Sequence, residues 1–126
     1  MKGGVIYSTD KELRKACRKW QKVMRLQDWD IVCKIQRTKG MNMENVEGSC
    51  TWNVMNKTAV IRILDPVDYP DNEWEQNMEE TLVHELMHLH SAPFDDFKMG
   101  TAKNDALEQM IVTLSQALIN SKKKGG

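Results

Sequence analysis

Apolar positions recur at three- and four-residue spacing through Leu13, Ala16, Cys17, Trp20, Val23 and Met24. That period predicts an amphipathic helix over 10–26. Thr9-Asp10-Lys11-Glu12 has the form of a capping box at its start, with Thr9 as N-cap and Glu12 three residues on. The pattern then changes. Residues 30–37 alternate and are rich in β-branched side chains, which predicts a strand. Residues 39–45 read as a loop. The stretches 47–53 and 58–64 also have strand character, separated by Val54-Met55-Asn56-Lys57. Asn56 tolerates the left-handed conformation a tight turn needs, so the pair predicts a hairpin. The second arm is the more apolar and should be interior. The first is more polar, contains Gly48, and should lie nearer an edge.

Asp65-Pro66 and Tyr69-Pro70 stop the hairpin. No Gly or Pro follows within 71–92, and Leu82, Val83, Leu86, Met87 and Leu89 supply an apolar surface, predicting a helix over 72–91 capped by Asp71 or Asn72. Pro93 ends it. A last helix, capped by Asn104 or Asp105, should run to about Asn120 with Leu107, Met110, Ile111, Leu114, Ala117 and Leu118 inward. Residues 121–126 read as a frayed tail. The fold class is therefore α+β. An N-terminal helix and a three-stranded, mostly antiparallel or mixed sheet precede two helices, all in one domain over 1–126.

Composition narrows the function classes. Eighteen Lys plus Arg balance 18 Asp plus Glu, so no global basic signal points to nucleic acid. The basic outer face of the first helix reads as solvated. No apolar run approaches a membrane span, and the N-terminus is too short in apolar length for a signal peptide. Three cysteines without C-x-x-C spacing argue against a disulfide framework. The expectation is a soluble, cytoplasmic monomer with no nucleic-acid or membrane partner. Nine methionines read as adaptable core filling.

The chemistry concentrates in His84-Glu85-Leu86-Met87-His88. Residues four apart share a helix face, so both imidazoles can reach one metal ion with Glu85 beside them. A catalytic zinc takes three protein ligands and leaves one position for water, from which Glu85 would take a proton as general base. The chain has three histidines in all. His90 sits two residues past His88, about 200° round the helix, and points elsewhere. The remaining donors are carboxylates: Asp95 and Asp96 in the loop, Asp105 and Glu108 on the last helix. Glu108 has apolar neighbours Leu107, Ile111 and Val112, and a carboxylate in that company needs a partner. Glu108 ranks first as third ligand, Asp105 second and His90 third. Cys33 and Cys50 are conceivable ligands, but read better as small core residues.

The order of elements, with H-E-x-x-H on one helix and Glu108 on the next, resembles the zincin metallopeptidases. Within them it is most similar to the gluzincins, whose third ligand is a Glu on a following helix, and in size to the minigluzincins. The runs 84–89 and 107–111 are also similar to small phage and mobile-element peptidases of the ImmA/IrrE type. The resemblance spans about 10–120 in architecture. It implies one zinc ion per chain held by His84, His88 and Glu108, and hydrolysis of a peptide or protein substrate with Glu85 as base. It also implies an extended substrate lying antiparallel along the edge formed by residues 48–52, where Trp52 lines a subsite or belongs to the core. Two departures stand out. Val112 occupies the place where the larger gluzincins carry an Asp that holds a ligand histidine. No motif places Tyr7, Tyr69 or His90 as an oxyanion stabiliser. The alternative is an inactive module of the same fold that binds a regulatory partner.

Overall fold

The computed structural model describes residues 4–41, 46–71 and 73–124. It contains α1 (Asp10–Val23), β1 (Asp30–Gln36), β2 (Gly48–Asn53), β3 (Thr58–Leu64), α2 (Met78–Ser91) and α3 (Ala102–Lys124), with short 3-10 turns at Thr38–Gly40, Pro66–Asp68 and Ala92–Phe94. The chain is α+β, as the pattern implies. Among the described residues no helix is long and apolar enough to cross a membrane.

α1 begins as its sequence dictates. Thr9 Oγ1 accepts from Glu12 N at 3.1 Å, while the Glu12 carboxylate accepts from Ser8 N at 3.3 Å, one residue before the expected partner. Its end falls at Val23 rather than 26. Arg25 adopts φ 59°, Arg25 N donates to Lys22 O, and Leu26 N donates to Gln21 O at 2.7 Å. This is a Schellman closure with arginine where glycine is usual. The turn buries Leu26, and Gln21 Nε2 donates to the carbonyls of Leu26 and Trp29 to fix the exit.

The sheet has the order β1-β3-β2, with β1 parallel and β2 antiparallel to β3. The apolar arm is central and the polar arm is an edge, as the pattern predicts. The register aligns Cys33, Ile61 and Cys50 across the three strands. Ala59, Ile61, Ile63 and Cys33 face the helices and are buried, whereas Val32 on the opposite face is 47% exposed. The hairpin turn differs in detail. Lys57, not Asn56, takes the left-handed conformation (φ 52°), and Asn53 Oδ1 accepts from Asn56 N.

α1 and α2 cover one face of the sheet. Leu13, Cys17 and Trp20 meet Met78, Leu82, Leu86 and Leu89 over that face. Full burial of each large aliphatic chain contributes about 1.5–3 kcal/mol, so this layer holds α2 firmly. Trp20 Nε1 donates to Glu79 Oε2 at 3.2 Å and ties the two helices. α2 starts at Met78, six residues later than the pattern suggests. Asn77 is its cap, accepting from Glu80 N, and Asp71 is not. Asn72 lies outside the described residues, as do 42–45 of the expected loop. The start of α2 is tied to distant segments instead: Met78 N, at its first residue, donates to Val5 O, and Gln76 Nε2, just before the cap, to Leu64 O.

α3 corrects two expectations. Thr101 Oγ1 accepts from Asn104 N, so the cap precedes both predicted residues. The helix also continues to Lys124, so 121–124 is not a frayed tail. Its buried row is Leu107, Ile111, Ser115 and Ile119, at strict four-residue spacing, whereas Met110 and Leu114 are exposed. α3 packs chiefly on α2 through this narrow stripe, which is why fewer apolar positions face inward.

Candidate metal centre

The 84–88 spacing places both imidazoles on the face of α2 that looks towards α3. His84 Nε2 lies 3.2 Å from Glu108 Oε1, and His88 Nε2 lies 3.2 Å from Glu108 Oε2. The ring centroids of the two histidines are 5.2 Å apart, tilted at 58°. Among the described residues, His84, His88 and Glu108 form the one gathered set of metal-ligating side chains, with donor atoms within 4.8 Å of one another. That group could hold a metal ion.

The fit can be tested on distances. Donors about 2.0–2.1 Å from a tetrahedral ion lie about 3.3 Å apart. The two imidazole–carboxylate separations, one to each Glu108 oxygen, are close to this, and the three donors lie within 4.8 Å of one another. Burial lowers the pKa of His88, favouring the neutral ring that ligation requires. The ring is further held by Trp52 of β2, stacked on it at 6.0 Å and 19°. Trp52 is thus a packing partner of a candidate ligand. Among the described residues His88 Nδ1 is buried without a hydrogen-bond partner, so none of them orients the ring from that side. Val112 is exposed on the cleft wall.

Glu85 lies beside the triad, only 8% exposed. Burial first, and the charge of Glu108 second, push its pKa up to about 8. Gly48 explains how it can be so enclosed. A Cβ there would stand 2.5 Å from Thr81 Cγ2 and 3.3 Å from Glu85 Oε2. The edge strand therefore rests directly on α2 at the level of the candidate base. Nothing local in the sequence marks Gly48 for this role, because the requirement is space and not backbone conformation.

The other candidates lie elsewhere. His90 Nε2 is 2.9 Å from Met24 O and bridges α2 to the end of α1. Asp105 is exposed in the first turn of α3 and outside the gathered set. Asp95 and Asp96 line the cleft without joining that set. Cys33 is buried in the core; Cys50 is half-buried on the cleft wall. Tyr69 also lines the cleft, its hydroxyl donating to Trp74 O, whereas Tyr7 packs against the core.

The triad opens into a cleft of about 1370 Å³ bounded by β2, α2 and α3. That is ample for several residues of extended chain. No family model matches this sequence, and neither a curated protein nor a solved structure matches it.

Proposed function

We propose that the chain is a zinc-dependent metallopeptidase of the gluzincin type. The observation that carries the reading is the convergence of His84, His88 and Glu108 beside an enclosed Glu85, on the floor of an open cleft. His84, His88 and Glu108 would hold one zinc ion. Bound there, zinc supplies Lewis acidity towards a carbonyl and lowers the pKa of water. In its ionised form Glu85 would accept a proton from the attacking water and deliver it to the departing amine. Its enclosure by Gly48 and Thr81 keeps the carboxyl in a dry, fixed position, where proton transfer needs little reorganisation. Among the described residues β2 has β3 on one side only, so its other edge can accept an extended peptide by strand addition.

The substrate is a peptide or protein, bound without nucleic acid or membrane. Three free cysteines support a reducing compartment such as the cytoplasm, and the reading takes the chain as a monomer. The test is Glu85→Gln. Zinc content should stay near one per chain while cleavage of a peptide library is lost. Undiminished cleavage by that variant removes Glu85 as base. A second reading has its own support: the unpartnered His88 Nδ1 leaves the ring less polarised than an oriented ligand. That favours a weakly active or inactive module that binds a partner through the same cleft, which full zinc occupancy with no cleavage of any library member would establish.

A further inference from the structure

His84 and His88 stand one turn apart on α2, yet their rings are held differently. The His84 side chain is 22% exposed and the His88 side chain 12%. Both Nε2 atoms lie 3.2 Å from the Glu108 carboxylate. At the other ring nitrogen of His88 the usual support is missing. A metal-ligating histidine is ordinarily fixed by a hydrogen bond from its second nitrogen to a carboxylate, a carbonyl or water. Among the described residues, buried His88 Nδ1 has no such partner. The rotation of an imidazole about its Cβ–Cγ bond has broad wells, so hydrogen bonding at one nitrogen alone sets the ring plane loosely.

The face of the ring is where it is gripped. The Trp52 indole lies on His88 with centroids 6.0 Å apart and planes 19° from parallel, which is offset stacking. The indole is itself well placed to act as a clamp. Trp52 alternates with Gly48 and Cys50 along β2, so all three point towards the helices. Its cross-strand partner is Ala59, buried and small enough to leave room for a large ring beside it. Trp52 is half-buried and packs against the core cluster, so it cannot swing away freely. Stacking also does more than hold a plane. Ligation draws electron density out of an imidazole, and the face of an indole is the most electron-rich surface a side chain offers. The contact is therefore stronger with the metal bound than without it, and a contact that favours one state shifts the equilibrium towards that state.

We propose that Trp52 is a positioning residue of the metal centre, whose stacked indole fixes the His88 ring for ligation and tightens the hold on zinc. The proposal rests on the metal-centre reading and deepens it. The indole offers no ligand atom, because its nitrogen is a donor only, so Trp52 acts entirely through His88. It does by stacking what the second nitrogen of a ligand histidine usually does by hydrogen bonding.

The experiment measures zinc affinity of the full chain by competition with a chromophoric chelator, for the parent and for Trp52→Phe, Trp52→Leu and Trp52→Ala. Trp52→Phe keeps a ring face. Trp52→Leu keeps apolar bulk and removes the face. The Phe variant should stay within about threefold of the parent, and the Leu and Ala variants should both bind zinc about tenfold more weakly. Urea unfolding of the metal-free proteins reads packing separately: Trp52→Leu should lose less stability than Trp52→Ala, although their zinc affinities fall alike. Val32→Ala, on the opposite face of the sheet, should leave zinc affinity unchanged. Parent-like zinc affinity in Trp52→Leu overturns the proposal. So do a Phe variant as weak as the Ala variant, zinc affinities that merely follow urea stability along the series, and an equal loss in Val32→Ala. Failure of the metal-centre reading looks different, since the parent itself would then take up no zinc, and the proposal would fall with it.

Discussion

Gly48→Ala tests the contact that encloses the candidate base. The new methyl would stand 2.5 Å from Thr81 Cγ2, well inside the usual 3.5–4.0 Å carbon–carbon separation. Arg62 O and Glu85 Oε2, each at 3.3 Å, close the other directions. β2 must therefore lift from α2 by about 1 Å, and overpacking of this kind costs about 1–3 kcal/mol. Replacing glycine gains about 0.4–1 kcal/mol by restricting the unfolded chain. The net expectation is a loss of roughly 0–2.6 kcal/mol, up to several degrees in Tm for a domain of this size. Thr81→Ser removes the colliding methyl and keeps the hydroxyl that donates to Asn77 O. In that background Gly48→Ala should be close to neutral. Urea unfolding of the four proteins in the cycle gives the coupling directly, with an expected value of about 1 kcal/mol or more. Additivity within about 0.5 kcal/mol would show that the two residues do not collide, and would refute the steric account of how Glu85 is enclosed.

Arg25→Gly should stabilise the protein by about 0.5–1 kcal/mol, because glycine meets the left-handed position after α1 without a Cβ penalty. A urea midpoint that stays put or falls contradicts this. Asp68→Asn should show a pH-dependent loss. Arg37 Nε and Nη2 donate to the carboxylate at 2.8 and 3.1 Å and Thr38 N at 2.8 Å, holding the Asp68 carboxyl well below the usual range. A group depressed in the folded state stabilises above its unfolded pKa of about 3.9, and that contribution fades as pH falls towards the folded value. Parent and variant should therefore differ at pH 7 and converge in acid; a gap that is constant from pH 7 to pH 2 rules the pairing out as the cause.

Much of the candidate site was legible because its signal is local. The four-residue spacing of His84 and His88 survives any plausible helix boundary, and the apolar company of Glu108 marked it before the two helices were placed together. Strand order followed from which hairpin arm was the more apolar. Two of the misreadings come from competition by distant partners, and the third from a local side chain. Asp71 was a reasonable cap by type, but Leu64 O holds the Gln76 side chain ahead of α2 and Val5 O takes Met78 N at its first residue, so the helix starts at the Asn77 cap. On α3 the rows through Leu107–Ile111 and Met110–Leu114 have the same period. Only the narrow contact with α2 decides that the first is buried and the second exposed. Lys57 rather than Asn56 carries the positive φ because Asn53 occupies the turn with its own side chain. Gly48 carried no local signal, since its importance lies in what stands opposite it.

The central claim is that two imidazoles and the Glu108 carboxylate hold zinc. X-ray absorption at the zinc edge, on protein loaded with one equivalent, tests it most directly. The expected first shell is two imidazole nitrogens and oxygen donors at about 2.0–2.2 Å, with the metal lost or its shell altered in Glu108→Ala. A sulfur scatterer at about 2.3 Å, or a first shell unchanged by Glu108→Ala, would contradict the assignment.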